Sequence, residues 1–186
     1  MKEHIAPAIR VTLVALVFFA GIYTLLILGI SKLTRGKGQG DQLTVNGKKV
    51  YANVGQKFTQ DKYFWSRPSA VDYNAAGAGG SNKGPTNPDY LATVQARIDS
   101  FAVHNPGVPK TSIPAELVTA SGSGLDPDIS VDAAKVQVAR IAKTRGLAAA
   151  NIEQLIIANT SAPLAGVAGP TKINVLALNI ALDNLK

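Results

Sequence analysis

Val11-Thr12-Leu13-Val14-Ala15-Leu16-Val17-Phe18-Phe19-Ala20-Gly21-Ile22-Tyr23-Thr24-Leu25-Leu26-Ile27-Leu28-Gly29-Ile30-Ser31 lies between Arg10 and Lys32 as 21 residues without a charge. At about 1.5 Å rise per residue, a helix of that length reaches roughly 30 Å, the thickness of a bilayer's hydrocarbon core. The run therefore predicts a retained transmembrane helix over 11–31. A cleaved signal peptide would carry only about 7–15 apolar residues before a small-x-small site, and this run continues past that length. No second run of the kind occurs in the 186 residues. The expected organisation is a short N-terminal segment (1–10), the helix (11–31), a linker (32–42) and one domain (43–186).

Outside the helix, composition removes several classes. The chain has no cysteine, which excludes a disulfide scaffold and any cysteine-ligated zinc or iron-sulfur site. His4 and His104 are the only histidines, too few for a histidine-rich metal centre or a conventional Ser-His-Asp triad. Hydrophobic residues make up 46%, so a packed core is expected rather than disorder. The net charge of +7 raises nucleic-acid binding, but the basic residues are scattered and not interleaved with exposed aromatics. No nucleic-acid partner is expected; acidic lipid head groups or an acidic protein surface fit the charge better.

Charge leaves the orientation undecided. Lys2 and Arg10 precede the helix, and Lys32, Arg35 and Lys37 follow it, which by count alone places the large domain inside. Large domains translocate regardless of such nearby charges, so the count is weak. Residues 32–42 read as a Gly-rich polar linker whose bases face lipid head groups or act as ordinary stop-transfer charges.

The domain reads as strands first and helices later. Leu43 to Tyr51 contains Asn46-Gly47, which takes the positive φ angles of a two-residue hairpin turn. From Gly55 to Thr86 the text is irregular, and Tyr63-Phe64-Trp65 argue that its first half is packed. Asn87-Pro88 starts a helix, with Leu91, Val94, Ile98 and Phe101 at helical spacing and a stop at Asn105-Pro106-Gly107. Ser130 caps a second helix with Ala134, Val138 and Ile141 on its apolar stripe, and Gly146 ends it. A third helix carries Ile152, Leu155 and Ile156, and the last runs from about Asn174 to Leu185. The fold class is therefore α+β: one N-terminal transmembrane helix, then a single domain with a small β-sheet and about four helices.

No stretch satisfies the phosphate-binding loop, which needs Gly, four residues and Gly-Lys-Ser/Thr between a strand and a helix. Gly77 to Gly84 has the right residue types in the wrong order and reads as a turn-rich loop. Ser121-Gly122-Ser123-Gly124 is not a Gly-x-Ser-x-Gly elbow, although it leads toward a helix N-terminus that favours anions. A Ser/Lys hydrolase stays open on spacing alone. Neither catalytic nor metal-ligating residues are assigned.

Several of these segments, in this order, resemble one family, the C subunit of the Kdp potassium-transporting P-type ATPase (KdpC). The matching text is Val54-Gly55-Gln56-Lys57-Phe58; Tyr63-Phe64-Trp65-Ser66-Arg67-Pro68-Ser69-Ala70; Tyr73-Asn74; Gly79-Gly80-Ser81-Asn82-Lys83-Gly84-Pro85-Thr86-Asn87-Pro88; Pro114 through Pro127; and Asn174 through Asp183. The N-terminal helix sits where the family has its anchor. Three positions depart: Thr24 where proline is common, Asp128 where histidine is usual, and Gly169-Pro170-Thr171-Lys172 in place of a typical Gly-Glu-Pro-Arg.

The resemblance implies a non-catalytic subunit of a high-affinity, ATP-driven potassium uptake system of the bacterial inner membrane. Its implied partners are a channel-like potassium-binding subunit (KdpA), an ATP-hydrolysing P-type subunit (KdpB) and a very small subunit (KdpF), with K⁺ the transported ion. The anchor is expected against the channel-like subunit, with Gly21 and Gly29 allowing close helix approach. The domain is expected on the extracytoplasmic side. The family is also described as a catalytic chaperone that raises the ATP affinity of the hydrolysing subunit. With only about ten residues inside, that effect is expected to be a coupling between distant sites. Should the chain touch ATP directly, Ser121, Gly122, Ser123, Gly124 and Gln137 are the expected contacts. Tyr63, Phe64, Trp65 and Arg67 either brace the core or form a docking surface.

Overall fold

The computed structural model describes residues 2–34, 36–45, 47–163 and 165–185. Asn46, read above as the first turn residue of the hairpin, and Arg35, counted among the flanking charges, lie outside them. The chain forms two compact units, residues 1–51 and 52–186.

The first unit is a helix followed by a hairpin. Helix α1 (Lys2–Leu16), a π-helical stretch (Val17–Tyr23) and α2 (Thr24–Ser31) follow one another without a break. Residues Glu3–Ser31 form one apolar helix of membrane-spanning length with no residue buried by its own chain. Helix starts well before the uncharged run because Ile5, Ala6, Ala8 and Ile9 carry the apolar character back, and Glu3 in the first turn faces the positive helix end. Residues 32–34 and 36–41 fold into successive turns, in which Lys37 donates to the carbonyl of Thr34 and Gln39 to that of Gly36. Strands β1 (Gln42–Val45) and β2 (Lys48–Tyr51) pair antiparallel, Val45 opposite Lys48, and Gly47 takes the positive φ of 77° that the tight turn needs.

The second unit is α+β. No regular element occurs between Tyr51 and Pro88, where α3 (Pro88–His104) begins. Asn87 caps α3 by accepting from the Tyr90 N–H, and Pro88 occupies the first turn, where its missing donor costs nothing. Two 3₁₀ turns (Lys110–Ser112 and Ala115–Leu117) lead to β3 (Asp128–Ile129), α4 (Val131–Lys135), α5 (Val138–Arg145), α6 (Ala149–Ala158), β4 (Thr160–Ser161), β5 (Lys172–Asn174) and α7 (Val175–Asp183). Strand order is β3-β5-β4, all antiparallel, with buried Ile129 and Ile173 opposite one another.

Two expectations need correction. The helix capped by Ser130 is two helices, because the chain breaks at Val136-Gln137, where the Gln137 side chain turns inward to bond other backbone. Strands do not all come first: the three-stranded sheet is built from segments after residue 127, each of only two or three residues. The core lies between this sheet and the helices, with Phe64, Ile141, Ile152, Ile173, Leu178 and Leu182 fully enclosed.

Candidate functional site

The apolar helix offers a surface that is not buried among the described residues. A Cβ added at Gly21 or Gly29 would meet no atom within 4 Å, so both notches are open. At the first residue of α2 the Thr24 hydroxyl donates back into the π-helical stretch, to the Phe19 carbonyl, at 3.0 Å. A proline at this position would supply neither that hydroxyl nor a backbone N–H.

In the second unit, residues 61–67 are clamped by polar side chains from helices. Phe64 is 0% exposed; its N–H donates to Asn179 Oδ1 at 2.9 Å, and its carbonyl accepts from Asn179 Nδ2 at 3.0 Å. Trp65 N–H donates to Gln137 Oε1 at 2.7 Å, and Gln137 Nε2 donates to Ala133 O and more weakly to Trp65 O. Arg140 ties the rest together. Its Nη2 donates to Gln137 Oε1, its Nη1 to the carbonyls of Asp61 and Tyr63, and its Nε to Asn105 Oδ1. The guanidinium lies 4.3 Å from the Trp65 ring centre, a cation–π contact. Burial pulls the Arg140 pKa down to about 10, against the opposing pull of Asp61.

The four residues read as brace or docking surface all make contacts within the second unit. Phe64 is interior. The Tyr63 hydroxyl donates to Asp183, the Trp65 indole N–H donates to Gln60 O, and Arg67 pairs with Asp126 at 2.9 Å.

The residues named for nucleotide contact do not form a cradle. Ser121 is 2% exposed and its hydroxyl accepts from the Gly124 N–H at 3.0 Å, while Ser123 Oγ accepts from the Leu125 N–H. Ser121 N–H donates to Pro68 O, and Ser123 O accepts from Gly79 N–H, so this loop is stitched to the 68–79 segment. Gly122 faces solvent. Gln137 is 0% exposed with both amide atoms committed inside the fold, so it belongs to the clamp.

Residue reading missed Arg140 and Asn179, whose bonds set the path of the 61–67 segment, and Asn105, which accepts from Arg140. The available signal was a polar residue inside an apolar stripe: Arg140 beside Ile141, and Asn179 between Leu178 and Ile180.

Besides a cavity of about 650 Å³ bordered by Glu116, Asp132 and Lys135, two cavities of ligand size accompany the clamp. One, about 590 Å³, is bordered by Arg67, Glu116, Asp126, Asp128 and Lys172; both its cations are already paired, Arg67 with Asp126 and Lys172 with Asp128, while Glu116 accepts from the Ser130 N–H. The other, about 610 Å³, lies between the end of α3 and the α4–α5 corner.

A sequence model of the family described as K⁺-transporting ATPase, c chain, matches residues 5–184. The chain is 52% identical over 185 residues to the potassium-transporting ATPase KdpC subunit of Flavobacterium johnsoniae, covering 99% of this chain and 100% of that one. It is 48% identical over 188 residues to the KdpC subunit of Bacteroides fragilis, covering 99% and 98%. Against the KdpC subunit of Geobacter sulfurreducens the identity is 47% over 191 residues, covering 100% and 99%. With a match running from the membrane helix to the last turn of α7, this chain belongs to the KdpC family, the C chains of K⁺-transporting ATPases.

Proposed function

We propose that this chain is the accessory subunit of an ATP-driven potassium uptake complex, held in the bacterial inner membrane by its helix with the second unit on the extracytoplasmic side. The observation that carries the reading is the family match over residues 5–184, which takes in both units. The helix Glu3–Ser31, unburied by its own chain and notched at Gly21 and Gly29, packs in this reading against a channel-like, potassium-binding subunit. The partner subunits are that channel, an ATP-hydrolysing P-type subunit and a very small stabilising one, with K⁺ the transported ion.

Any rise in ATP affinity at the hydrolysing subunit is indirect in this reading. It is a coupling free energy between separate sites, and by linkage ATP binding must then tighten the association of this chain by the same factor. The enclosed amide of Gln137 and the hydroxyl of Ser121, used within its own turn, support the indirect route. The rival reading, an anchored Ser/Lys hydrolase, gains nothing from Ser121: its hydroxyl accepts a turn hydrogen bond, and no lysine bonds to it among the described residues.

Co-expression with the three partner subunits tests the assignment. The tagged chain is expected to co-purify with them, and its omission to abolish assembly or K⁺-stimulated ATP hydrolysis. A complex that assembles and hydrolyses ATP normally without it overturns the reading. Orientation is tested separately by a single cysteine at exposed Ser100, in a chain with no native cysteine. A membrane-impermeant maleimide is expected to label it in intact cells, and protection until lysis would place the domain inside.

A further inference from the structure

The cavity of about 610 Å³ beside the clamp has an unbalanced charge. Lys135 at the end of α4 and Lys143 in α5 line it, and neither has an ion-pair partner among the described residues. Arg140 adds a third cation, with its side chain 2% exposed and its donors directed into the fold. One carboxylate, Asp61, faces them, and it is engaged by His104 Nδ1 at 2.8 Å and lies 3.7 Å from Arg140. The backbone N–H of Gly107, which also lines the cavity, donates to no group among the described residues. The volume falls within the range of small-ligand sites, about 300–1,000 Å³.

We infer that this cavity binds a phosphate anion through the ammonium groups of Lys135 and Lys143 and the Gly107 N–H, over the buried positive charge of Arg140. Ammonium groups on flexible stems suit a phosphate, which offers several acceptor oxygens and needs no planar fork. In the cavity of about 590 Å³ both cations are paired and Glu116 adds negative charge, and in the cavity of about 650 Å³ Lys135 is outweighed by Glu116 and Asp132, so neither has a comparable positive excess. The same chemistry is presented by free phosphate and by the phosphodiester of an anionic lipid head group, and the tether to a membrane-length helix keeps lipid at high effective concentration.

Trp65, the single tryptophan, reports on the site from beside it: its ring lies 5.0 Å from the His104 ring and 4.3 Å from the Arg140 guanidinium, and both residues line the cavity. The full-length chain in nonionic detergent is titrated separately with inorganic phosphate, dihexanoyl phosphatidylglycerol and dihexanoyl phosphatidylcholine, following tryptophan emission and melting temperature. A saturable emission change with a rise in melting temperature is expected for an anionic probe and not for phosphatidylcholine. A response to inorganic phosphate identifies a free-anion site; a response to phosphatidylglycerol alone identifies a lipid site. K135A/K143A, two exposed positions, is expected to weaken the response by about tenfold or more, and K83A, remote in sequence, to leave it unchanged. The inference is overturned if neither readout changes, if phosphatidylcholine acts equally, or if the double variant titrates like the parent.

Discussion

Lys172 Nζ lies 2.6 Å from Asp128 Oδ2, joining β5 to β3 across the three-stranded sheet. The ammonium–carboxylate pair is a polar link between these two short strands. The pair is half open to water, with side-chain exposures of 53% for Lys172 and 19% for Asp128, so solvent screening keeps its contribution small. A double-mutant cycle of D128A and K172A is expected to give a coupling of about 0.2–1 kcal/mol by chemical denaturation. The bond to Asp128 raises the Lys172 pKa. Its stabilisation is therefore fully present below the ordinary value of 10.5 and is lost as pH rises through the raised value in the folded state. A coupling that persists unchanged at strongly alkaline pH would contradict this.

Gln137→Leu keeps the volume of a fully buried side chain while removing its amide. Trp65 N–H and one Arg140 N–H then lose their acceptor in the interior. Each stranded donor costs about 1–3 kcal/mol, so a loss of about 2–6 kcal/mol is expected, with Trp65 emission shifted because its Arg140 stack is no longer held. A nucleotide contact at Gln137 would instead leave stability near the parent and lower only ATP-dependent activity of the assembled complex.

Tyr73 provides an alkaline titration marker. Its hydroxyl donates to the Arg67 carbonyl, and burial, the main cause, pushes its pKa up to about 12. The folded state favours the protonated phenol, so this stabilisation is complete below pH 10.0, the ordinary value, and lost as pH rises through about 12. Tyrosinate absorbance is expected to show a step near pH 12, and Tyr73→Phe is expected to remove that step. A parent protein whose tyrosines all titrate together would refute the assignment.

What was legible in the sequence was what local chemistry decides. Asn87-Pro88, Ser130 and Asn174 start helices because each cap bonds an N–H within three residues, and Gly146 ends α5 because it takes φ 66°. The uncharged run at 11–31 reports itself by length. Partners remote in sequence left no such trace. The break at Gln137 exists because its amide meets Trp65, 72 residues away, and Phe64 is held by Asn179, 115 residues away. Strands β3, β4 and β5 have two or three residues each, too short for any alternation to be read. The cavity lysines were invisible for the same reason, since their setting depends on the α3 corner packing beside α5.

The loop at 121–124 separates conformational need from ligand need within two glycines. Gly124 has φ 69°, and a Cβ there would lie 2.6 Å from Gly79 O and from Val71 Cγ2. Gly122 has no such φ, and a Cβ would meet nothing within 4 Å. Gly124→Ala is expected to cost about 2 kcal/mol or more, lowering the melting temperature by about 4–8 °C, while Gly122→Ala leaves it within about 1–2 °C. Equal losses in the two variants would mean that the turn geometry is not what fixes the loop.

Trp65→Ala decides between bracing and docking for the aromatic segment. The ring packs edge-on to Phe101 and His104 and under Arg140, all within this chain, and its N–H donates to Gln60 O. Truncation removes these contacts and leaves a buried cation without its aromatic neighbour, at an expected cost of about 3 kcal/mol. The melting temperature of the full-length chain is therefore expected to fall by about 6–12 °C. Weaker assembly with the partner subunits then follows from partial unfolding, so it is rescued by lowering the temperature and by Trp65→Phe, which restores most of the packing. Lost assembly at an unchanged melting temperature, with no rescue by phenylalanine, would make Trp65 a docking residue and move the interface onto the 63–67 segment.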